Sequence, residues 1–146
     1  MSAVDTYRLI PKFRDYISLL KQGGVTAVNL TAAINENCQQ ACRKIAQVLR
    51  VISELREGGV IQVSQVEDIQ RAKLRQLVGL ILGFQNVMPI EDDLDLLWLY
   101  EALGVKIIQL TYNARSLAGD GCFERTDAGL SEFGIELVRK MNRLGI

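Results

Sequence analysis

The stretch Leu77-Val78-Gly79-Leu80-Ile81-Leu82-Gly83-Phe84 decides the fold class, because it is a continuous run of apolar residues and glycine. A strand of this kind is buried on both faces, which is typical of a parallel sheet covered by helices. Gln85 and Asn86 follow the run directly. The stretch therefore predicts a buried parallel strand whose carboxyl end carries two carboxamide side chains.

Shorter apolar runs predict further strands, and helical patterns separate them. The strands are predicted at Val25–Thr31, Val60–Val63 and Val105–Thr111, with a weaker fifth candidate at Ala3–Tyr7. Apolar residues spaced three and four apart predict helices around Phe13–Leu20, Cys42–Ile52, Val66–Gln76, Asp92–Leu103 and Ser131–Arg143. Strands that alternate with helices imply right-handed βαβ units and a parallel sheet. We expect a single α/β domain over residues 1–146, without an internal linker or repeat.

The composition excludes several classes of protein. The chain of 146 residues has 17 Lys+Arg, 17 Asp+Glu and no histidine. A chain without net charge lacks the basic field that binds nucleic acid. Without histidine, a Ser-His-Asp or Cys-His nucleophile and a His-ligated metal cannot be built from this chain alone. The longest uncharged stretch, Gln76–Ile90, is too short to span a bilayer. We expect neither a nucleic-acid nor a membrane partner.

The cysteines indicate a reducing compartment. Cys38, Cys42 and Cys122 form an odd and sparse set, whereas a secreted disulfide scaffold would carry more. The N-terminus lacks the apolar segment of a secretory signal. We therefore expect a cytoplasmic protein. Cys38 and Cys42 lie four residues apart on a predicted helix, and we expect them to be buried as small hydrophobic residues.

Polar residues follow two of the predicted strands. Gln85 and Asn86 come after one strand, and Tyr112 and Asn113 come after another. Barrels and open sheets of parallel strands place their ligand sites at the carboxyl ends of the strands. Two interpretations stay open: these residues line a binding site, or they cap the strand ends in solvent.

Three other groups of residues have a structural interpretation. The acidic residues between Glu91 and Asp95 are expected to complement the positive end of the following helix rather than to bind a metal. The turn Gly119-Asp120-Gly121 lacks the phosphate-binding patterns, and its glycines are expected to supply positive φ angles. Trp98 and Tyr100 are expected to pack in the core.

The chain also contains a series of separated motifs. They are Gly83-Phe84-Gln85-Asn86, Pro89-Ile90-Glu91-Asp92-Asp93-Leu94, Leu103-Gly104-Val105, Gln109-Leu110-Thr111-Tyr112-Asn113, Gly119-Asp120-Gly121-Cys122, Glu124-Arg125-Thr126-Asp127-Ala128-Gly129-Leu130-Ser131 and Met141-Asn142-Arg143-Leu144-Gly145. In this order they resemble the membrane (renal) dipeptidase family of zinc peptidases, particularly its bacterial members. The likeness is strong between Gly83 and Gly145 and continues more weakly through Leu20–Val25.

This resemblance implies a fold and an activity. Members of the family fold as (β/α)8 barrels roughly twice as long as this chain or more, bind two zinc ions bridged by a Glu, and hydrolyse dipeptides with a metal-activated water. The chain is then expected to consist of parallel βα repeats resembling the N-terminal half of such a barrel, about strands 1–5, cut before the sixth strand. The family's later metal-ligand histidines lie beyond this part.

The positions that match the family's ligands carry other residues. Tyr7 and Leu9 stand at the family's His-x-Asp metal pair, Gln85 stands at the bridging Glu, and Tyr112 stands at a substrate-binding His. Neutral amide and phenol groups are poor zinc ligands. Zinc is the cofactor that the family implies, but we expect that this chain alone does not bind it.

Several functions follow from the resemblance. The first is a truncated, divergent dipeptidase-family hydrolase that is inactive alone, with Tyr112, Asn113 and Asn86 as candidate substrate-binding residues and Asp120 on a loop beside them. The second is a non-catalytic half-barrel that works by self-association or by pairing with a complementary C-terminal half, since an open barrel leaves sheet edges uncovered. The third is a small open-sheet binding domain without activity. A complete protein of this kind would take a peptide-like small substrate.

Overall fold

The computed structural model describes the backbone of residues 3–146 and the side chains of residues 13–146. Its strands are β1 (Ala27–Ala33), β2 (Val60–Gln62), β3 (Val78–Phe84) and β4 (Val105–Ile108). Its helices are α1 (Ala3–Gln22), α2 (Cys38–Leu55), α3 (Val66–Leu74), α4 (Leu96–Ala102) and α5 (Glu132–Leu144), with short 3-10 helices at Arg56–Gly58 and Met88–Ile90. The predicted α/β class with parallel strands is confirmed.

Strand β3 has the most neighbours in the sheet. The sheet order is β1-β3-β2, and β4 also pairs with β3. Val60 of β2 lies opposite Val78, and Val105 of β4 lies opposite Leu82, both in parallel register. The buried run that predicted a parallel strand is therefore the strand that all the others join.

The predicted strand at Ala3–Tyr7 is wrong, because this segment belongs to helix α1. The apolar residues Tyr7, Ile10, Phe13, Ile17 and Leu20 are spaced three or four apart. This helical period continues back through Ala3–Tyr7, and the longer periodic pattern decides the conformation of that segment.

The Cα positions divide the chain into two compact units. The first unit comprises residues 1–30 and 46–81, and the second comprises residues 31–45 and 82–146. A single domain over the whole chain stays a prediction.

The first unit contains α1, most of α2, β2, α3 and the first halves of β1 and β3. Its buried apolar side chains are Ile17, Val51, Ile52, Leu55, Val60, Val63, Ala72, Val78 and Leu80. Asp68 fixes the start of α3, since its Oδ2 accepts the backbone N–H groups of Ser64 at 3.0 Å and Gln65 at 3.2 Å. Gly79 is required in β3, because a Cβ there would lie 2.7 Å from a methyl group of Val63.

The second unit is organised around an aromatic pair. The rings of Phe84 and Tyr100 meet edge to face, with centroids 4.8 Å apart. Tyr100 is completely buried, and its hydroxyl donates to the carbonyl of Pro89 at 2.7 Å. A buried phenol with a hydrogen-bond partner combines apolar packing with a satisfied polar end. Tyr100 confirms the prediction of core packing.

Helix α4 is shorter than predicted. It begins at Leu96 rather than Asp92, because residues 88–90 form a 3-10 helix and Asp93 Oδ1 accepts the N–H of Asp95 in a local turn. Such aspartate turns compete with the helix for the backbone N–H groups. Leu97 and Tyr100, three residues apart, form the buried face of this helix. Trp98 is 60% exposed, so the prediction that it packs in the core is wrong.

The acidic residues between Glu91 and Asp95 lie directly before α4, and their predicted charge complement to the start of that helix stays a prediction. Glu91 Oε1 also accepts the N–H of Cys38, the first residue of α2, at 3.0 Å. Asp95 forms an ion pair with Lys140 on α5. The Asp95 side chain makes no capping hydrogen bond. Two of these acidic side chains, Glu91 and Asp95, therefore contact helices that are distant in sequence.

Helix α5 begins in close contact with the loop before it. The Ser131 hydroxyl accepts the N–H of Gly134 at 3.0 Å, and the Ser131 N–H donates to the carbonyl of Ala118 at 3.0 Å. A Cβ on Gly134 would lie 2.1 Å from that carbonyl oxygen. The first turn of α5 can reach this position only with glycine.

We predict that Gly134→Ala lowers the free energy of unfolding by about 1–3 kcal/mol, the usual cost of overpacking. This sign is opposite to the gain of ~1 kcal/mol that alanine normally gives over glycine inside a helix. Urea denaturation measures the change. The control is Glu136→Ala on the exposed side of the same helix, which should alter stability by less than about 0.5 kcal/mol. Equal effects of the two substitutions would contradict the packing.

Candidate strand-end site

Three strands finish side by side in the second unit. The N–H of Gln85, directly after β3, donates to the carbonyl of Ala33, the last residue of β1, at 3.0 Å. The N–H of Gln109, directly after β4, donates to the carbonyl of Phe84 at 3.0 Å. The residues that follow β1, β3 and β4 are therefore brought to one edge of the sheet, as the parallel arrangement predicts.

Asn86 is held firmly at this edge. It is 7% exposed, its Nδ2 donates to Asn35 Oδ1 at 2.7 Å, and its Oδ1 accepts the N–H of Met88 at 2.7 Å. Gln85 beside it is half-buried. The side-chain oxygen and nitrogen of Asn86 thus fix the turn after β3 and connect it to the segment after β1.

Asn35 is a member of the site that the sequence analysis missed. It follows β1, which ends at Ala33 rather than at the predicted Thr31. The signal was present, because Asn35 comes after an apolar strand just as Asn86 does. The shift of two residues in the strand end concealed the analogy.

Tyr112 and Asn113 lie farther along the chain after β4. Their carbonyls accept the N–H groups of Cys122 at 3.0 Å and Phe123 at 2.8 Å, and the Cys122 thiol donates to Asn113 Oδ1 at 3.6 Å. The Tyr112 side chain is 41% exposed. Within residues 13–146, none of the hydrogen bonds joins Tyr112 or Asn113 to Asn86. These two residues form the base of the loop that follows, and the phenol of Tyr112 is accessible to a ligand.

Asp120 on that loop is engaged with its own neighbours. Its carboxylate accepts the N–H of Ala128 at 2.9 Å and pairs with Arg115 at 2.5 Å. The Ala128 N–H, reinforced by the Arg115 guanidinium, lowers the pKa of Asp120 from its ordinary value. Asp120 therefore orders the loop as a carboxylate, and its hydrogen bonds are directed within the loop.

The glycines beside Asp120 do not have the predicted role. Gly119 and Gly121 have no positive φ angle. A Cβ on Gly119 would lie 2.7 Å from the carbonyl oxygen of Gly129, and one on Gly121 would lie 2.4 Å from that of Ala114. Glycine is required here because backbone segments approach closely. The positive φ of the loop occurs instead at Gly129.

A second carboxylate lies after β1. Glu36 accepts the N–H of Ile34 at 2.5 Å and pairs with Lys44 on α2. Burial alone would raise the pKa of Glu36, but the Ile34 N–H and the Lys44 ammonium outweigh it, so the pKa is lowered. Glu36 is thus a paired carboxylate that ties the end of β1 to α2.

The residues at the strand ends do not fit a two-zinc centre. The sequence has no histidine, and Gln85 is a neutral amide. Within the described part of the chain, His, Cys, Asp and Glu side chains form no group of three or more that could hold a metal ion. Zinc needs such anionic or imidazole donors. Tyr7 and Leu9 lie on helix α1, and their side chains are outside the described residues.

We predict that Asn86→Ala lowers the free energy of unfolding by about 1–3 kcal/mol, since it removes two part-buried hydrogen bonds and leaves the Met88 N–H without its partner. Asn35→Ala is the matched control, because Asn35 is exposed and water can replace its contact with Asn86. Urea denaturation of both variants measures the difference. An Asn35→Ala variant that loses as much stability as Asn86→Ala would contradict the assigned role of Asn86.

No helix of the described residues is both long enough and apolar enough to cross a membrane.

Solved structures resemble this chain over most of its length. An amidohydrolase from Pseudomonas aeruginosa aligns with a TM-score of 0.86 and 38% sequence identity, covering 91% of this chain and 40% of that one. A metallo peptidase from Rhodobacter sphaeroides, liganded with a phosphinate mimic of the dipeptide L-Ala-D-Ala, aligns with a TM-score of 0.70 and 17% identity over 95% of this chain and 54% of that one. The second likeness shows a shared fold.

Sequence comparison leads to the same family. An uncharacterized dipeptidase of Schizosaccharomyces pombe is 34% identical over 73 residues, which are 47% of this chain and 18% of the relative. The sequence model of the membrane dipeptidase family (peptidase family M19) matches residues 14–146. That match begins after Tyr7 and Leu9, so their correspondence to the family's metal pair stays a prediction. Since the family model covers nearly the whole chain, this protein belongs to the membrane dipeptidase family.

Proposed function

We propose that this chain binds a dipeptide-like ligand at the carboxyl ends of β1, β3 and β4 and does not hydrolyse it on its own. The observation that carries the proposal is the carboxamide pair Asn35 and Asn86, with Gln85 beside it, at the edge where family members are expected to hold zinc. Carboxamides offer both donors and acceptors, which suits a peptide bond. They lack the charge that activates a metal-bound water.

The related structures support the choice of ligand. The Rhodobacter sphaeroides protein was solved with a dipeptide mimic. The same class of ligand for this chain is an inference from a shared fold, and Tyr112, Asn113 and Asn86 are the residues proposed to contact it. Tyr112 is the most testable of them, because its side chain is exposed and not part of the core.

Hydrolysis of a dipeptide would need residues that lie outside this chain. The chain spans 40% of the Pseudomonas aeruginosa amidohydrolase and 18% of the Schizosaccharomyces pombe dipeptidase. The family consists of zinc metallopeptidases, and metal-dependent dipeptide hydrolysis is proposed only for an assembly that supplies ligands from outside these 146 residues. Because Gln85 stands where the family has the Glu that bridges two zinc ions, the site of such an assembly is proposed to hold one metal ion or none.

We predict that the chain retains far less than one zinc ion per molecule after dialysis, measured by elemental analysis. Hydrolysis of L-Ala-D-Ala should not exceed the rate of the protein-free blank. The Gln85→Glu variant should remain equally poor in zinc, because one added carboxylate does not supply the histidine ligands. Stoichiometric zinc in the unaltered chain would overturn the proposal.

A second candidate function is association through exposed apolar side chains. Large apolar residues are exposed on α4, β4 and α5 of the second unit, namely Trp98, Leu99, Ile107 and Ile135. Exposed apolar surface of this kind often marks a protein contact. The partner is proposed to be a second copy of the chain or a complementary C-terminal half of the barrel.

We predict that the sedimentation coefficient of the chain rises with protein concentration, and that Trp98→Ser weakens this association. The control is Tyr16→Ser, because Tyr16 is 58% exposed but lies on α1 in the first unit. A monodisperse monomer at every concentration would count against self-association. Equal effects of the two substitutions would count against the α4 surface as the contact.

We also propose a cytoplasmic location. Cys38, Cys42 and Cys122 are all free thiols. Free thiols persist in a reducing compartment. Fractionation of the source cells tests this location, and recovery with secreted proteins would contradict it.

A further inference from the structure

Met88 is the exposed residue of an otherwise buried turn after β3. Its side chain is 48% exposed, whereas those of its neighbours Val87, Pro89 and Ile90 are buried. Every position of the turn from Asn86 to Ile90 is thus covered by the protein except one. At that position the side chain is long, apolar and accessible to a ligand.

The backbone of Met88 is fixed by the strand-end site itself. Its N–H donates to Asn86 Oδ1 at 2.7 Å, and its carbonyl accepts the N–H of Glu91 at 3.1 Å. The next carbonyl, that of Pro89, accepts the buried Tyr100 hydroxyl at 2.7 Å. The point from which the Met88 side chain projects is therefore set by a residue that is proposed to bind the ligand.

The strand ends present few apolar side chains to a ligand. Residues 34–37, 85–88 and 109–112 follow β1, β3 and β4. Among them, the exposed side chains with a large apolar surface are those of Met88 and Tyr112. Ligand sites are generally lined by apolar side chains, with a few polar groups that fix the orientation of the ligand. The carboxamides supply these polar groups, and Met88 supplies apolar surface beside them.

A methionine side chain suits contact with a variable apolar group. It is unbranched, carries a polarisable sulfur and adapts to an irregular apolar surface. Because the backbone of Met88 is fixed on both sides, only its side-chain torsions need to adjust when a ligand arrives.

We propose that Met88 is a specificity-determining residue of the strand-end site, against which a dipeptide-like ligand packs an apolar side chain. This inference rests on the proposed function and adds a ligand class to it, namely dipeptides with a large apolar side chain. The carboxamides contact the peptide group, and Met88 distinguishes between side chains by the apolar area that they bury.

The first test compares L-Ala-D-Ala, L-Leu-D-Ala and L-Ala-D-Leu. Each is titrated into the chain with a chelator present, and the side-chain amide signals of Asn86 give the dissociation constants by nuclear magnetic resonance. A leucyl side chain adds three carbon atoms to an alanyl one, and burying part of them should tighten binding about fivefold or more. At least one leucyl dipeptide should therefore bind more tightly than L-Ala-D-Ala.

Substitutions assign this preference to Met88. Met88→Gln keeps the length of the side chain but makes its end polar, so the ratio of the leucyl and alanyl dissociation constants should fall close to one. Met88→Leu should retain the preference, because it keeps an apolar surface. The control is Leu74→Gln, since Leu74 is 85% exposed but lies on α3 in the first unit. That variant should keep the ratio of the unaltered chain.

A second measurement needs no variant for binding. When the methionine methyl groups carry an isotope label, the Met88 signal should shift as the tighter leucyl dipeptide is added. Met141 on α5 is 8% exposed and serves as the internal reference, whose signal should stay unchanged. The signal that is missing from the spectrum of Met88→Gln identifies Met88.

The outcomes for Met88 and for the proposed function are distinguishable. A leucyl preference that Met88→Gln abolishes and Leu74→Gln retains supports the role of Met88. If Asn86 responds to L-Ala-D-Ala but neither leucyl dipeptide binds more tightly, that role is wrong and the proposed function stands. The same holds if Met88→Gln keeps the preference or if the Met88 methyl signal does not shift. If none of the dipeptides shifts the Asn86 signals, both are wrong.

Discussion

The pairing of β3 with its neighbours is the constraint on which the rest of the structure depends. Its side chains Val78, Leu80, Leu82 and Phe84 are all buried. Burial of side chains of this size is worth roughly 1.5–3 kcal/mol each. The backbone of β3 is held at its beginning by the bond from Gly79 N–H to Thr26 and at its end by the bond that Phe84 accepts from Gln109.

This constraint determines where chemistry can occur. Because β3 must be apolar along its length, polar side chains are excluded until the strand ends, and they appear immediately after it as Gln85 and Asn86. The hydrogen bonds between parallel strands then bring the carboxyl ends of β1 and β4 to the edge of the sheet at which β3 ends. The side chains at the end of β3 are carboxamides, whereas the carboxylates Glu36, after β1, and Asp120, in the loop after β4, each pair with a cation and a backbone N–H. The edge suits recognition of neutral polar groups better than the binding of a divalent cation.

Much of this arrangement could be predicted from the sequence. Strand β3 and the residues after it were identified because an uninterrupted apolar run has few alternatives to a buried strand. The start of α5 was placed correctly, since Ser131 is a strong capping residue. The family was identified from motifs whose order is specific even though each motif is short.

The sequence predictions fail where the position of a side chain depends on contacts that no local pattern contains. Glu91 precedes α4 in the chain but holds the start of α2, which no local pattern reveals. Trp98 is exposed because Leu97 and Tyr100, three residues apart, form the buried face of α4, and Trp98 lies outside that face. Gly119 and Gly121 are required because other parts of the same loop, at Gly129 and Ala114, approach their backbone closely, and the turn pattern alone does not show this approach. The identity of a residue predicts its local conformation well, but it does not show which other residue its side chain will contact in the folded chain.

The central claim is that the strand-end amides recognise a peptide-like molecule without a metal. Nuclear magnetic resonance of the chain titrated with L-Ala-D-Ala in the presence of a chelator tests it most directly. The account predicts that the side-chain amide signals of Asn35, Gln85 and Asn86 shift together, with a matching change at Tyr112, while the signals of α3 stay unchanged. Shifts that appear only when zinc is added, or that occur away from these strand ends, would contradict it.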